Sequence, residues 1–296
     1  MKIYRPAKGK GVLWGVVLLI FLALVFAITI ASGIAMDKAV PGFLPVTGLI
    51  LLAVASVVIY FTWAAANLQY ELADDELVIK WAFNKKRIPL SAIKGIGRTV
   101  GTSSMKVMGA SWPGFHIGSF TSPTGHGMVN MYGTRLWGDI VLIRTKWEII
   151  GITPVNPEEL TDRLHELVPG LEPDSITGGE PLEPFSPWRD KKFLAALAAT
   201  AIILVGTAVY LLYMMPSLPS RVPLHYDLSG QVNRYGSPRE LFIPFGIGAA
   251  ITALMIGLTT TLARNNRASI YMAAYVSIFI ALLFSAITIG MVFSVI

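Results

Sequence analysis

Five long apolar runs decide most of what this chain can fold into: Val12–Ala35, Phe43–Ala65, Phe193–Met215, Leu241–Ala263 and Ser269–Ile296. A helix of ~20 mostly apolar residues crosses the hydrocarbon of a bilayer with its backbone hydrogen bonds satisfied internally. Each run reaches that length. Only 14% of the 296 residues are charged, against roughly a quarter in ordinary globular chains. The expected fold class is therefore an integral membrane α-helical protein with five transmembrane helices. The first run follows a basic start, as a signal peptide would, but it outlasts the roughly 7–15 apolar residues of such a peptide's core. It is read as an anchor that stays.

No span carries a charge at its middle. Proton relays and ion pathways need such groups at membrane depth, which counts against a pump or an ion-coupled transporter. The small residues in "AALAATAIILVGTA" and "GIGAAITALMIG" suit close helix–helix approach.

Short loops rich in Lys and Arg stay in the cytoplasm. Lys2, Arg5, Lys8 and Lys10 precede the first run, Arg189, Lys191 and Lys192 the third, and Arg264 and Arg267 lie between the last two. The N-terminus and the long middle segment are therefore expected inside. The Met36–Gly42 turn, the loop 216–240 and the C-terminus are expected outside, although Arg221, Arg234 and Arg239 weigh against it. The formal charge of +6 raises nucleic acid as a partner. Residues 67–169 nevertheless hold eleven basic and ten acidic side chains, so the excess lies beside the membrane rather than on a folded domain, and no nucleic acid is expected. The absence of cysteine removes disulfides, thiolate nucleophiles and cysteine metal sites.

The texture changes at residue 67. "QYELADDELVIKWAFNKKRIPL" reads as two strands around the acidic turn Asp74–Glu76 and a third after Asn84-Lys85-Lys86. Leu77, Ile79 and Trp81 alternate onto one face. Four further strands are expected near Phe115–Thr121, Gly127–Gly133, Asp139–Thr145 and Trp147–Ile152, with "SPTGHG" as hairpin chemistry. "NPEELTDRLHELV" follows, with Asn156 as N-cap, Pro157 in the first helical position and Glu159 placed for a capping box. Leu160, Leu164, Leu167 and Val168 give that helix one apolar face. The chain thus divides into a basic tail and two-helix membrane hairpin (1–66), a cytoplasmic β domain closed by a helix (67–169), an acidic Gly/Pro-rich linker (170–192), and a three-helix membrane domain (193–296) with a structured outer loop (216–240).

"PGFHIGSFTSPTGHGMVNMYGTRLWGDIVLIRTKWEIIGITPVNPEEL" resembles a bacterial pleckstrin-homology-like (PH-like) domain family. The resemblance covers about Leu68 to Val168. It implies a strongly bent sheet of about seven strands capped by a C-terminal helix. "LPSRVPLHYDLSGQVNRYGSP" resembles the short family of unknown function that opens SdpI-type membrane proteins, a class that includes immunity and signal-transducing proteins. The shared positions are Leu218, Pro219, Val222, Pro223, His225, Tyr226, Gly230, Arg234, Tyr235, Gly236 and Ser237. The further multi-span domain usual in that class is replaced here by one last span, so immunity is not carried over.

Candidate chemistry is sparse. His225 and Asp227 are two residues apart with no third ligand in view, whereas zinc sites need three or four. No metal, cofactor or catalytic residue is expected. His225, Tyr226, Asp227, Arg234 and Tyr235 are read as a partner-binding surface in the outer loop. Lys80, Lys85, Lys86 and Arg87 form a basic cluster suited to anionic lipid headgroups. His116 and His126 are expected on the surface. "GIGRTVG" is no dinucleotide loop, since its third glycine falls one place late and no βαβ unit surrounds it. The sequence supports a non-catalytic membrane scaffold, receptor or immunity-like protein with a membrane or extracellular protein or peptide partner. Two alternatives remain open at this point: a transporter or export accessory, and a membrane enzyme using His225 and Asp227.

Overall fold

A computed structural model describes residues 1–39, 43–101, 106–121, 128–171, 176, 186–227, 231–262, 267–293 and 295. In chain order the elements begin with strand β1 (Lys2–Tyr4), helix α1 (Gly11–Ala39) and helix α2 (Phe43–Ala66). Nine strands and a helix follow: β2 (Gln69–Leu72), β3 (Glu76–Trp81), β4 (Asn84–Pro89), β5 (Ile93–Gly101), β6 (Lys106–Trp112), β7 (Phe115–Thr121), β8 (Met128–Gly133), β9 (Trp137–Thr145), β10 (Ile149–Ile152) and α3 (Pro157–Leu167). The chain ends with α4 (Lys191–Met214), β11 (Val222–Tyr226), β12 (Val232–Gly236), α5 (Phe242–Leu262) and α6 (Arg267–Phe293). Among the described residues, five helices are long and apolar enough to cross a membrane. This is the architecture of a membrane protein with a β domain inserted after its second long helix.

The chain forms two compact units. The first comprises Met1–Leu19, Val57–Ser186 and Ala263–Met272; the second comprises Ile20–Ser56, Pro187–Leu262 and Ala273–Ile296. In the first unit, β1-β2-β3-β4 make one antiparallel sheet and β5-β9-β10-β8-β7-β6 make another, in which β8 and β10 run parallel. Tyr70, Leu77 and Ile79 of the first sheet meet Ile143, Ile150 and Ile152 of the second, together with Leu160 and Leu164 of α3. The second sheet also buries its other face, through Phe120, Val129, Met131, Ile140, Leu142 and Ile149 with Ile176. Burial on both faces explains why β9 and β10 read as nearly continuous apolar runs rather than as an alternation.

Several expectations are corrected. The domain has nine strands of its own, not about seven. The run around Gly95–Gly101 is strand β5, and β6 had no clear sequence signal. The N-terminal stretch is no loose basic tail. Strand β1 pairs with β2, Ala7 N donates to Thr153 O at 2.7 Å, and the Trp112 indole donates to Gly11 O at 2.8 Å. Helix α1 continues to Ala39, so most of the expected Met36–Gly42 turn is helical. Asn156 flanks α3 without a side-chain cap; its amide donates to Glu159 instead, and that carboxylate also pairs with Lys2. The linker is not wholly unattached, because Ile176 is buried and its carbonyl accepts from Arg144 at 2.9 Å.

In the second unit Thr207 on α4 donates to Ser285 on α6 at 2.7 Å. A Cβ at Gly248 would lie 2.5 Å from that of Phe284. A small residue on α5 and a hydroxyl pair between α4 and α6 are the packing devices expected where lipid offers no hydrophobic drive between helices.

Candidate functional site

Two hairpins carry the residues singled out by sequence. The first is β11–β12, in the loop 216–240. Strand β11 is seated by Val222, fully buried against Leu211, Leu241 and Val292. His225 opposes Arg234 and Pro223 opposes Tyr235, with register shifts on both sides of His225. Asp227 closes the turn: its backbone N–H donates to Gln231 O and its carboxylate accepts the Gln231 N–H, both at 2.9 Å. The far end is held by a corner. Arg234 donates to Glu240 at 2.6 Å, and the other oxygen of Glu240 accepts the Ser237 N–H at 3.0 Å. Ser237 completes a capping box at the following turn. Gly236 leaves room for the side chains that meet there, since a Cβ would lie 2.2 Å from a Leu224 methyl and 2.3 Å from the Glu240 carboxylate.

These contacts separate scaffolding from display. Val222, Asp227, Gly236, Ser237 and Glu240 hold the hairpin in shape. His225, Arg234 and Tyr235 are exposed, Tyr235 to 56%. The His225 Nδ1 meets Asn233 at 2.8 Å, which orients the ring. The side chain of Tyr226 lies outside the described residues. Among the described residues no three His, Asp or Glu side chains group as metal ligands. Glu240 was not singled out from the sequence; its place three residues after Ser237 was the available signal.

The second hairpin is β3–β4, and strand alternation splits its basic quartet. Lys86 lies opposite the buried Ile79, whereas Lys85 lies opposite Lys80. Lys86 is drawn inward to Glu148 at 2.6 Å. Burial opposes its charge, but the Tyr132 hydroxyl and the Glu148 carboxylate outweigh that and raise its pKa. Lys80 pairs with Glu71 at 2.6 Å and Arg87 with Glu76 at 2.7 Å. Lys85 is exposed and has no ion pair among the described residues. The four cations therefore do not converge on one phosphate-sized site.

Beyond Lys86 a polar chain continues through the domain. Glu148 accepts from Asn130 at 2.5 Å, Asn130 accepts from Ser119 at 2.9 Å, and Ser119 accepts from Ser269 at 2.6 Å. Each member satisfies the next, as buried polar groups must. His116, expected on the surface, is half-buried on β7; its Nδ1 meets Ser111 across the β6–β7 pair at 2.7 Å. Burial pushes its pKa down to about 4. His126 and the "SPTGHG" turn lie outside the described residues.

Comparison with known proteins accounts for both hairpins. Residues 68–168 match the bacterial PH domain family. The match covers the β domain, which is PH-like: its described strands and closing helix lie within the matched residues. Residues 202–249 match a domain of unknown function, DUF1648, which takes in the β11–β12 hairpin and parts of its flanking helices. An uncharacterized protein of Clostridium acetobutylicum is 24% identical over 235 residues, covering 76% of this chain and 78% of its own length. No solved structure matches.

Proposed function

We propose that this chain is a non-catalytic membrane receptor or scaffold whose outer hairpin meets a membrane or extracellular protein or peptide. The observation that carries the reading is the division of labour in β11–β12. Arg234 is held by Glu240 as part of the brace, and the exposed aromatic side chain left over, Tyr235, is of a type enriched at protein interfaces. Sidedness follows from the basic flanks of the spans, with the N-terminus and PH-like domain cytoplasmic and the loop 216–240 and C-terminus extracellular. The Ser269–Ser119 hydrogen bond ties the start of α6 to the domain, which agrees with an even number of crossings between them in either orientation.

A photo-reactive amino acid at Tyr235, irradiated in intact cells, is the test. One dominant cross-linked protein is expected, and it should be lost when the reactive residue is moved to Ser91, an exposed position on the domain. Failure to capture any protein from position 235 removes the receptor reading.

A further inference from the structure

The tip of β3–β4 is a two-residue turn, Ala82–Phe83, closing between Trp81 and Asn84. Ala82 takes φ 45°, a left-handed conformation that residues other than glycine avoid. The turn leaves Phe83 78% exposed. Ala82 packs against the domain's core and Phe83 adds nothing to it, yet the tip is tied down. The Phe83 ring stands edge-on to Trp63 of α2 with centroids 4.0 Å apart, and the Asn84 amide donates to the Tyr60 hydroxyl.

The depth of those two anchors follows from length. The apolar window of α2 is Thr47–Ala66, 20 residues, or ~30 Å at 1.5 Å per residue, which equals the hydrocarbon thickness. Trp63 and Tyr60 precede the window's end by three and six residues, about 4.5 and 9 Å. Drawing in residues 43–46 as well would slide the helix by only ~6 Å, which still leaves Tyr60 within the hydrocarbon. A side chain fixed to Trp63 and Tyr60 shares their depth. Aromatic side chains favour this boundary. Lys85, two residues beyond Phe83, has a stem long enough to bring its ammonium to the phosphates.

We propose that the β3–β4 tip is a wedge inserted in the bilayer, with Phe83 at the junction of acyl chains and headgroups and Lys85 at the lipid phosphates. The strained Ala82 turn is the device that aims Phe83 out of the sheet and into lipid. The depth argument does not depend on the receptor reading; only the assignment to the cytoplasmic leaflet rests on the sidedness given above.

The chain lacks cysteine, so nitroxide labels can be placed singly by Phe83→Cys, Lys85→Cys and Asp74→Cys, the last at the opposite, exposed end of β3. The full chain is reconstituted in phosphatidylethanolamine–phosphatidylglycerol liposomes, and collisions with oxygen and with a water-soluble nickel chelate are measured by power saturation. Oxygen should exceed nickel severalfold at position 83, the two should be near balance at 85, and nickel should dominate at 74. Nickel dominance at 83 matching that at 74 would place the tip in water and overturn the wedge. Low access to both at 83 would mean a protein contact and overturn it equally. Lys85→Cys guards against a label that displaces the tip, because the wedge requires 85 to lie shallower than 83 and deeper than 74.

Discussion

The PH-like domain and the β11–β12 hairpin are both largely antiparallel β structure, but they are stabilised in opposite ways. The domain buries large apolar side chains between two sheets and a helix, with Tyr70, Leu77, Ile79 and Ile143 fully enclosed. A two-stranded hairpin has no such interior and is marginal in water on its own. The β11–β12 hairpin buries only Val222 among its described side chains, and otherwise relies on its turn, its corner and the helices it joins. The lesson is that damage should spread differently. A deletion in the domain is shared by the whole cooperative core, whereas a deletion in the hairpin frees one local segment.

Leu77→Ala should have the largest effect. Leu77 is fully buried where β3 faces α3 and the second sheet, and deleting such a side chain costs about 2–5 kcal/mol. Thermal unfolding of the full chain in detergent should show the domain transition moving down by many degrees. Amide exchange across β11–β12 should stay at its wild-type level. Loss of protection in both regions would mean that the hairpin's order depends on the domain.

His116 sharpens the comparison through pH. Its pKa of about 4 in the fold lies below the ordinary value of 6.5 because burial disfavours the charged ring. The unfolded chain therefore takes up a proton near 6.5 while the folded domain does not. This contribution to stability is complete above pH 6.5, declines as pH falls from 6.5 towards 4, and levels off below that. His116→Gln should flatten the slope of domain stability over that window, measured by denaturant titration at several pH values.

Much of this contrast was legible in the sequence, for physical reasons that differ by region. The spans were legible because lipid demands long unbroken apolar runs, and α2 falls within one residue of its expected end. Strand β7 was found as Phe115–Thr121 because an alternating run between turn residues is an unambiguous local signal. Strands β1 and β5 were not. Lys2–Tyr4 is three residues among basic neighbours, and its pairing with β2 is a contact across more than sixty positions that no window contains. "GIGRTVG" forms β5, an edge strand, and its glycines are poor advertisements of a strand. The candidate sites divide similarly. Motif spacing marked the β11–β12 hairpin, but which residues brace and which display became visible only with Glu240 in place. The basic quartet looked like one site because its members are close in sequence, and a period of two turned Lys86 to the other face.

The smallest effect, and the most local, belongs to that brace. Glu240 does two jobs: one oxygen holds the exposed Arg234 guanidinium and the other accepts the Ser237 N–H. Glu240→Gln keeps an acceptor for Ser237 and gives up the ion pair, which for exposed partners is worth about 0–1 kcal/mol. Glu240→Ala removes both, and a lost cap adds about 1 kcal/mol. Exchange of the β12 amides should therefore quicken in the order wild type, Gln, Ala, with the domain's transition temperature unmoved. If Gln and Ala are equally fast, the charge pair rather than the cap holds the corner. In that case raising the salt concentration on the wild-type chain should reproduce the same loosening, because an exposed pair is screened and a backbone cap is not.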